Sequence, residues 1–131
     1  MKKHIPLALR ITVAIILIQT LRFKFTAHPD SVFIFSSLNL EPYGRIGLGI
    51  LELISGLLLL FRKTAWFGAL LTLEIISGAI ASHLFILGIQ VNNDNGILFF
   101  TAVLTFTLSA VILYLYRNDV KLFLKRFSIL R

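Results

Sequence analysis

Four long apolar runs, broken by short polar or basic connections, set the pattern of this chain. Each of the four is long enough to cross a bilayer as a helix, which takes about 20 predominantly apolar residues. The first runs from about Pro6 to Phe23, with Pro6 suited to a first helical turn and Arg10 placed to snorkel back towards the headgroups. The others run from about Tyr43 to Phe61, Thr64 to Leu87 and Ile97 to Tyr116. Between the first two, Phe25 to Tyr43 is too broken to span. There His28-Pro29-Asp30-Ser31 reads as a helix start and Val32 to Leu38 as about two turns, giving a short helix at the membrane surface that can fold back as a lid. After Asn118-Asp119, the residues Val120, Phe123, Leu124 and Phe127 form an apolar face opposite Lys121, Lys125 and Arg126. That is a basic amphipathic helix over about 119–130, of the kind that lies on anionic lipid. The expected fold is all-α: a four-helix transmembrane bundle with an interfacial helix after the first span and an amphipathic C-terminal helix, in one domain.

Within the spans, small and polar residues recur at helical spacing. Gly49 and Gly56 share a face of the second span with Arg45 and Glu52. Small residues at such intervals let helix backbones approach in lipid, so this face should turn towards other helices. In the third span Ala65, Ala69, Thr72, Ala79 and His83 form one face, and Glu74, Ser77, Gly78 and Ala81 another. Thr101, Thr105, Ser109 and Ile112 form a stripe on the fourth. In the connection before it, Asn95-Gly96 is a turn signal and Asp94 or Asn95 can cap the following helix.

Composition supports the membrane reading. The 131 residues are 57% hydrophobic and only 15% charged, where a soluble domain has about a quarter. The net charge of +7 does not indicate a nucleic-acid partner, because the basic residues concentrate at the flanks of the apolar runs. The N-terminus, the Arg62-Lys63 turn and the C-terminus carry most of them, while the other two connections hold Arg22, Lys24 and Arg45. The positive-inside rule therefore expects a multi-pass protein of the cytoplasmic (inner) membrane with both termini in the cytoplasm. The N-terminal run continues without a cleavage region and is read as a retained span rather than a signal peptide. There is no cysteine, which excludes disulfides, thiol redox chemistry and thiolate metal sites within the chain.

Candidate chemistry gathers in the outward half of the expected bundle. Arg45 and Glu52 stand seven residues apart on one helix face, and an ionisable residue inside the membrane is a functional-site hypothesis by default. His83 lies near the outward end of the third span, and Gln19 and Lys24 close the first. In one reading Arg45 binds an anionic or carbonyl group, Glu52 exchanges protons, and His83 orients a quinone-like headgroup. In the other, Arg45, Glu52, Lys24 and His83 form ion pairs and hydrogen bonds that hold the helices together. No catalytic residue is assigned. Haem lacks a second axial histidine, since His4 is terminal and His28 lies in a loop, and no spacing among His83, Glu52 and Glu74 singles out a metal site.

The succession from Leu21 to Leu38, then Glu41-Pro-Tyr-Gly-Arg-Ile-Gly and Glu52-Leu-Ile, resembles the DoxX-like family of small bacterial membrane proteins. Thr64-Ala-Trp-Phe-Gly-Ala-Leu-Leu, Gly78-Ala-Ile-Ala-Ser-His-Leu and Gly88-Ile-Gln-Val continue the likeness, which reaches to about Tyr116. The resemblance implies a four-helix membrane bundle. It also implies a membrane subunit associated with oxidoreductases such as a thiosulfate:quinone oxidoreductase, not catalytic alone. Its implied partners are the lipid bilayer and a protein of a membrane redox complex, with self-association into a homo-oligomer left open. No cofactor motif is evident, and a quinone is the cofactor the resemblance admits. The alternative function is a binder or transporter of a small anionic or polar solute, using an outward-facing polar pocket around Arg45 and Glu52.

Overall fold

The computed structural model describes residues 4–91 and 93–129. Lys2 and Lys3, counted above among the flanking charges, the loop residue Asn92, and Leu130 and Arg131 at the end of the expected C-terminal helix lie outside the described residues. Over the described residues the chain is all-helical: α1 (His4–Phe25), α2 (Pro29–Ser37), α3 (Tyr43–Leu60), α4 (Ala65–Ser82), α5 (Ile97–Leu115) and α6 (Arg117–Ile129). One π-helical turn, His83–Leu87, extends α4. Four segments are long and apolar enough to cross a membrane: α1, α3, Ala65–Leu87 and α5.

The helices form a ring in which α1 packs on α3, α3 on α4, α4 on α5, and α5 closes on α1. Small residues set the close crossings, as the sequence pattern expects. A Cβ built on Gly49 would lie 2.6 Å from the Phe25 ring, so α1 rests on the glycine face of α3. On α4, Gly68 meets backbone rather than a side chain: an added Cβ would lie 2.9 Å from both the Leu59 amide nitrogen and the Ser55 carbonyl oxygen. Ala65, Ala69 and Thr72 are buried beside it.

Polarity runs opposite to that of a soluble domain. Ile15, Ile50, Leu57 and Phe100 point outward and are exposed, whereas Ser55, Thr72, Thr105 and Ser109 are fully buried. Their hydroxyls are mostly spent on their own helices, Thr72 on the Gly68 carbonyl at 2.8 Å and Thr105 on that of Thr101 at 2.8 Å. An apolar exterior around a partly polar interior suits a lipid solvent, where apolar surface costs nothing and polar groups need internal partners.

The two ends of the ring differ. At the end holding the α3–α4 turn and the start of α6, Val13, Ala14, Leu17, Leu59, Ala65, Ala69, Ile112 and Tyr116 form a closed core. Arg10 sits within this packing, and the expectation that it snorkels is corrected. It is 6% exposed, and its guanidinium lies 5.7 Å from the Tyr116 ring centroid. The cause is helical phase: position 10 falls on the face of Val13, Ala14 and Leu17, so its side chain starts inward. Arg62 also stacks on Tyr116, at 4.5 Å, and pairs with Asp119, fastening α6 to the turn. Tyr116 is thus buried between two guanidinium groups. α6 buries none of its described residues, and its Phe123 ring meets Trp66 at 5.1 Å.

At the other end α2 lies across the bundle, touching α1, α3 and the π-helical turn. Its start is capped by His28, whose Nδ1 accepts from the Asp30 amide at 3.1 Å. The connection into α5 is held by Asp94, which accepts from the amides of Gly96 (2.8 Å), Val91 (3.1 Å) and Leu98 (3.2 Å). Burial raises the Asp94 pKa, but the amide bonds from Val91, Leu98 and Gly96, with the nearby His83, bring it below the usual carboxylate value. Asn93, Asn95 and Gly96 adopt positive φ, the backbone that the Asn-Gly signal anticipates.

Candidate functional site

Beneath α2 the four spanning helices enclose a cavity of about 330 Å³. That lies in the range of small-molecule sites. Its wall is mainly apolar, with Leu17, Ile34, Phe35, Leu38, Ile75 and Leu98 among the contributors. The polar side chains that reach it are Thr20, Lys24, Glu52, Glu74, His83, Thr101 and Thr105, together with Ser82 at its edge.

Glu52 and Lys24 are the charged pair of this cavity. Lys24 Nζ lies 2.9 Å from Glu52 Oε1 and donates to Oε2 at 3.1 Å. Thr20 Oγ1 donates to the same Oε2 at 2.9 Å and also contacts the Leu17 carbonyl oxygen at 2.8 Å. Thr20 and Lys24 are one helical turn apart on α1, so a single face of that helix meets the carboxylate. Glu52 is 4% exposed, and an unpaired carboxylate at such burial would be strongly disfavoured. The pairing settles the electrostatics locally and leaves a hydrogen-bonded, charge-bearing corner in an otherwise apolar space.

Arg45 belongs to a different assembly. Its Nε donates to both carboxylate oxygens of Glu41, at 2.9 and 3.0 Å, and its Nη1 to the Lys24 carbonyl oxygen. That carbonyl is in the last turn of α1, where carbonyls lack intrahelical partners and a cation is favoured by the helix dipole. Arg45 therefore clamps the end of α1 to the start of α3. It shares the buried face of Glu52, as its spacing expects, but it is not among the residues around the cavity. Arg45 and Glu52 are held in separate clusters with Lys24 between them, which gives its carbonyl to Arg45 and its ammonium to Glu52.

His83 is buried and reaches the cavity from the π-helical turn. Its Nδ1 lies 2.9 Å from the Gly88 carbonyl oxygen. A carbonyl only accepts, so Nδ1 carries a hydrogen, and in the neutral tautomer of the ring Nε2 would be the acceptor. The Gly88 amide in turn donates to the His83 carbonyl at 2.7 Å, with Gly88 at φ 80°, so the ring's position is locked by the end of its own helix. Phe99 packs against its edge with ring centroids 5.6 Å apart.

Of the residues singled out in the sequence, Lys24, Glu52 and His83 meet at one cavity, Arg45 stands behind it, and Gln19 does not take part. Gln19 is exposed, because it is displaced about 100° around α1 from Thr20. Thr20 is the residue that sequence reasoning missed. Its signal was the four-residue interval to Lys24, which places both on one face. Thr101 and Thr105, read only as a packing stripe, also reach the cavity. Glu74 is exposed on the outer side of α4 and lies at the cavity's rim.

Compared with known proteins, the chain matches no family model, no curated protein and no solved structure.

Proposed function

We propose that this protein is a membrane-embedded binding subunit that holds a small amphipathic molecule of the quinone class and works with a partner in a redox complex. The carrying observation is the apolar cavity of about 330 Å³ with Lys24, Glu52, Thr20 and His83 meeting in it. A mainly apolar wall with a few convergent polar groups suits a ring bearing hydrogen-bonding oxygens. The Lys24 ammonium has a third N–H to offer such an oxygen beyond its two contacts with Glu52, and Nε2 of a neutral His83 is an acceptor for a hydroxyl of the reduced ring. The DoxX-like resemblance of Glu41 to Gly47 and Glu52 to Ile54 favours the same association with redox partners. Supply from the lipid phase fits the apolar exterior. The distribution of basic residues favours placing the α2 end outside the cytoplasmic membrane and both termini within the cytoplasm.

The alternative, a binder of a small polar or anionic solute, draws support from the same charged corner. It has to proceed without the Arg45 Nε, which Glu41 occupies. The test uses menadione titrated onto the protein in lipid nanodiscs, with retention on size exclusion as the folding control. Saturable binding is expected, and the paired substitution Lys24→Met with Glu52→Met should weaken it about tenfold while the protein stays folded. Absence of saturable binding to the unaltered protein, or unchanged affinity in the pair variant, overturns the reading.

A further inference from the structure

The cavity is closed on one side and open on another. Towards the end of the bundle, α2 lies over it, with Phe35 5% exposed and directed to the cavity. Exposed Leu40 belongs to that same end, its amide bonded to the Phe35 carbonyl, whereas the other exposed members of the wall, Glu74 and Gly78, are away from α2, with the half-buried Leu48 and Ser82 near them. Leu48 is on α3, and Glu74, Gly78 and Ser82 are successive turns of one face of α4. A Cβ added to Gly78 would meet no atom within 4 Å, which marks open space beside it. The same two helices are in backbone contact lower down, at Gly68 against Ser55 and Leu59, so they part between that contact and the rim.

The depth of the rim decides what solvent it faces. Glu74 is nine residues into the 23-residue apolar segment Ala65–Leu87, or about 14 Å at the helical rise. Gly78 is one turn further, still within a hydrocarbon layer about 30 Å thick. An opening at that depth looks sideways into lipid. Glu74 there is a carboxyl at hydrocarbon depth on the exposed side of a helix, a costly place unless another polar group meets it. Among the described residues it has no assigned hydrogen bond or ion pair.

We infer that the cavity is loaded from the bilayer through the mouth between α3 and α4, and that its ligand carries one long apolar tail, which leaves through this mouth into the lipid. Glu74 is the first polar group that the headgroup meets at that depth, and Gly78 keeps the passage open. This rests on the quinone-class reading above and adds the tail, the direction of loading and two residues outside the charged corner.

Two ligands with the same ring separate the inference from its premise: menadione, which has no long tail, and phylloquinone, whose ring carries a phytyl chain. Equilibrium binding in nanodiscs is measured for the unaltered protein, for Gly78→Phe, and for Leu48→Trp, which narrows the mouth from the α3 side. Both variants should lose phylloquinone affinity about tenfold and keep menadione affinity within about twofold, because only the tail needs the mouth at equilibrium. Glu74→Leu should slow phylloquinone uptake while leaving menadione affinity within about twofold. If both narrowing variants leave phylloquinone affinity unchanged, or lower both affinities equally, the mouth is overturned and the binding reading stands. If neither ligand binds the unaltered protein, the reading falls and the tail inference with it.

Discussion

The two ends of the bundle handle buried charge in opposite ways. Under α2, Glu52 is met by Lys24 and Thr20, and Arg45 by Glu41 and a helix-terminal carbonyl. At the other end Arg10 is as buried as Arg45, yet among the described residues its Nε and Nη1 have no hydrogen-bond partner, and the guanidinium lies against the face of Tyr116. The first end also holds the cavity, while the second holds the closed core. Satisfied charge thus accompanies open space, and unsatisfied charge accompanies tight packing. A cavity wall can carry polar groups at low cost only if they are held in defined positions, since a loose charge would drag in water or lose its pairing. A packed core needs no such device. Its rigidity comes from volume, and the cation is carried by the ring quadrupole.

The comparison is broken most directly at Glu52. Glu52→Ala strands the Lys24 ammonium, whose side chain is 13% exposed, and should cost about 3–5 kcal/mol. Reversible unfolding in mixed micelles measures it. Replacing both partners with methionine should cost far less, since no charge is then left alone. A loss below about 1 kcal/mol for Glu52→Ala would mean that water already screens the corner.

Packing at the other end is tested at glycine. Gly68→Ala forces a methyl within 2.9 Å of two backbone atoms of α3, which cannot rotate aside, and should cost about 1–3 kcal/mol. Gly78→Ala, with nothing within 4 Å, should be neutral or slightly stabilising, given the roughly 1 kcal/mol by which alanine is the better helix former. Equal unfolding midpoints for the two variants would remove the distinction between the tight crossing and the open rim.

Most of the fold was legible because lipid imposes one dominant rule: a spanning segment must satisfy its own backbone, so long apolar runs become helices. The small-residue faces gave the packing direction for the same reason, and Gly49, Ala65 and Ala69 are all buried. Partners were less legible. Arg45 and Glu52 lie on one face, but which cation meets which anion depends on the neighbour across the groove and on side-chain reach, which spacing within a helix does not encode. Lys24, the second-last residue of α1, reaches back to Glu52, whereas Arg45 finds Glu41 one turn away on its own chain. Gln19 and Thr20 differ by a single position, and a rotation of about 100° decides between lipid and cavity. Glu74 was visible as a charge in a span, but its place at an opening depends on how α3 and α4 diverge.

Arg10 gives the smallest effect and the finest discrimination. If its guanidinium is held chiefly by the Tyr116 ring, Arg10→Met removes a cation–π contact of about 0.5–2 kcal/mol. It also removes the burial of a charge whose Nε and Nη1 lack partners, which acts in the opposite direction. The two should nearly cancel, leaving the unfolding midpoint close to that of the unaltered protein. Methionine keeps the apolar stem that packs beside Val13 and Ala14, so lost volume does not obscure the comparison. Tyr116→Leu with Arg10 intact should be worse than Arg10→Met, because it removes the ring and keeps the cation. Should Arg10→Met instead match Glu52→Ala in its cost, the guanidinium has an anionic partner after all. The contrast between the two ends would then be one of packing alone.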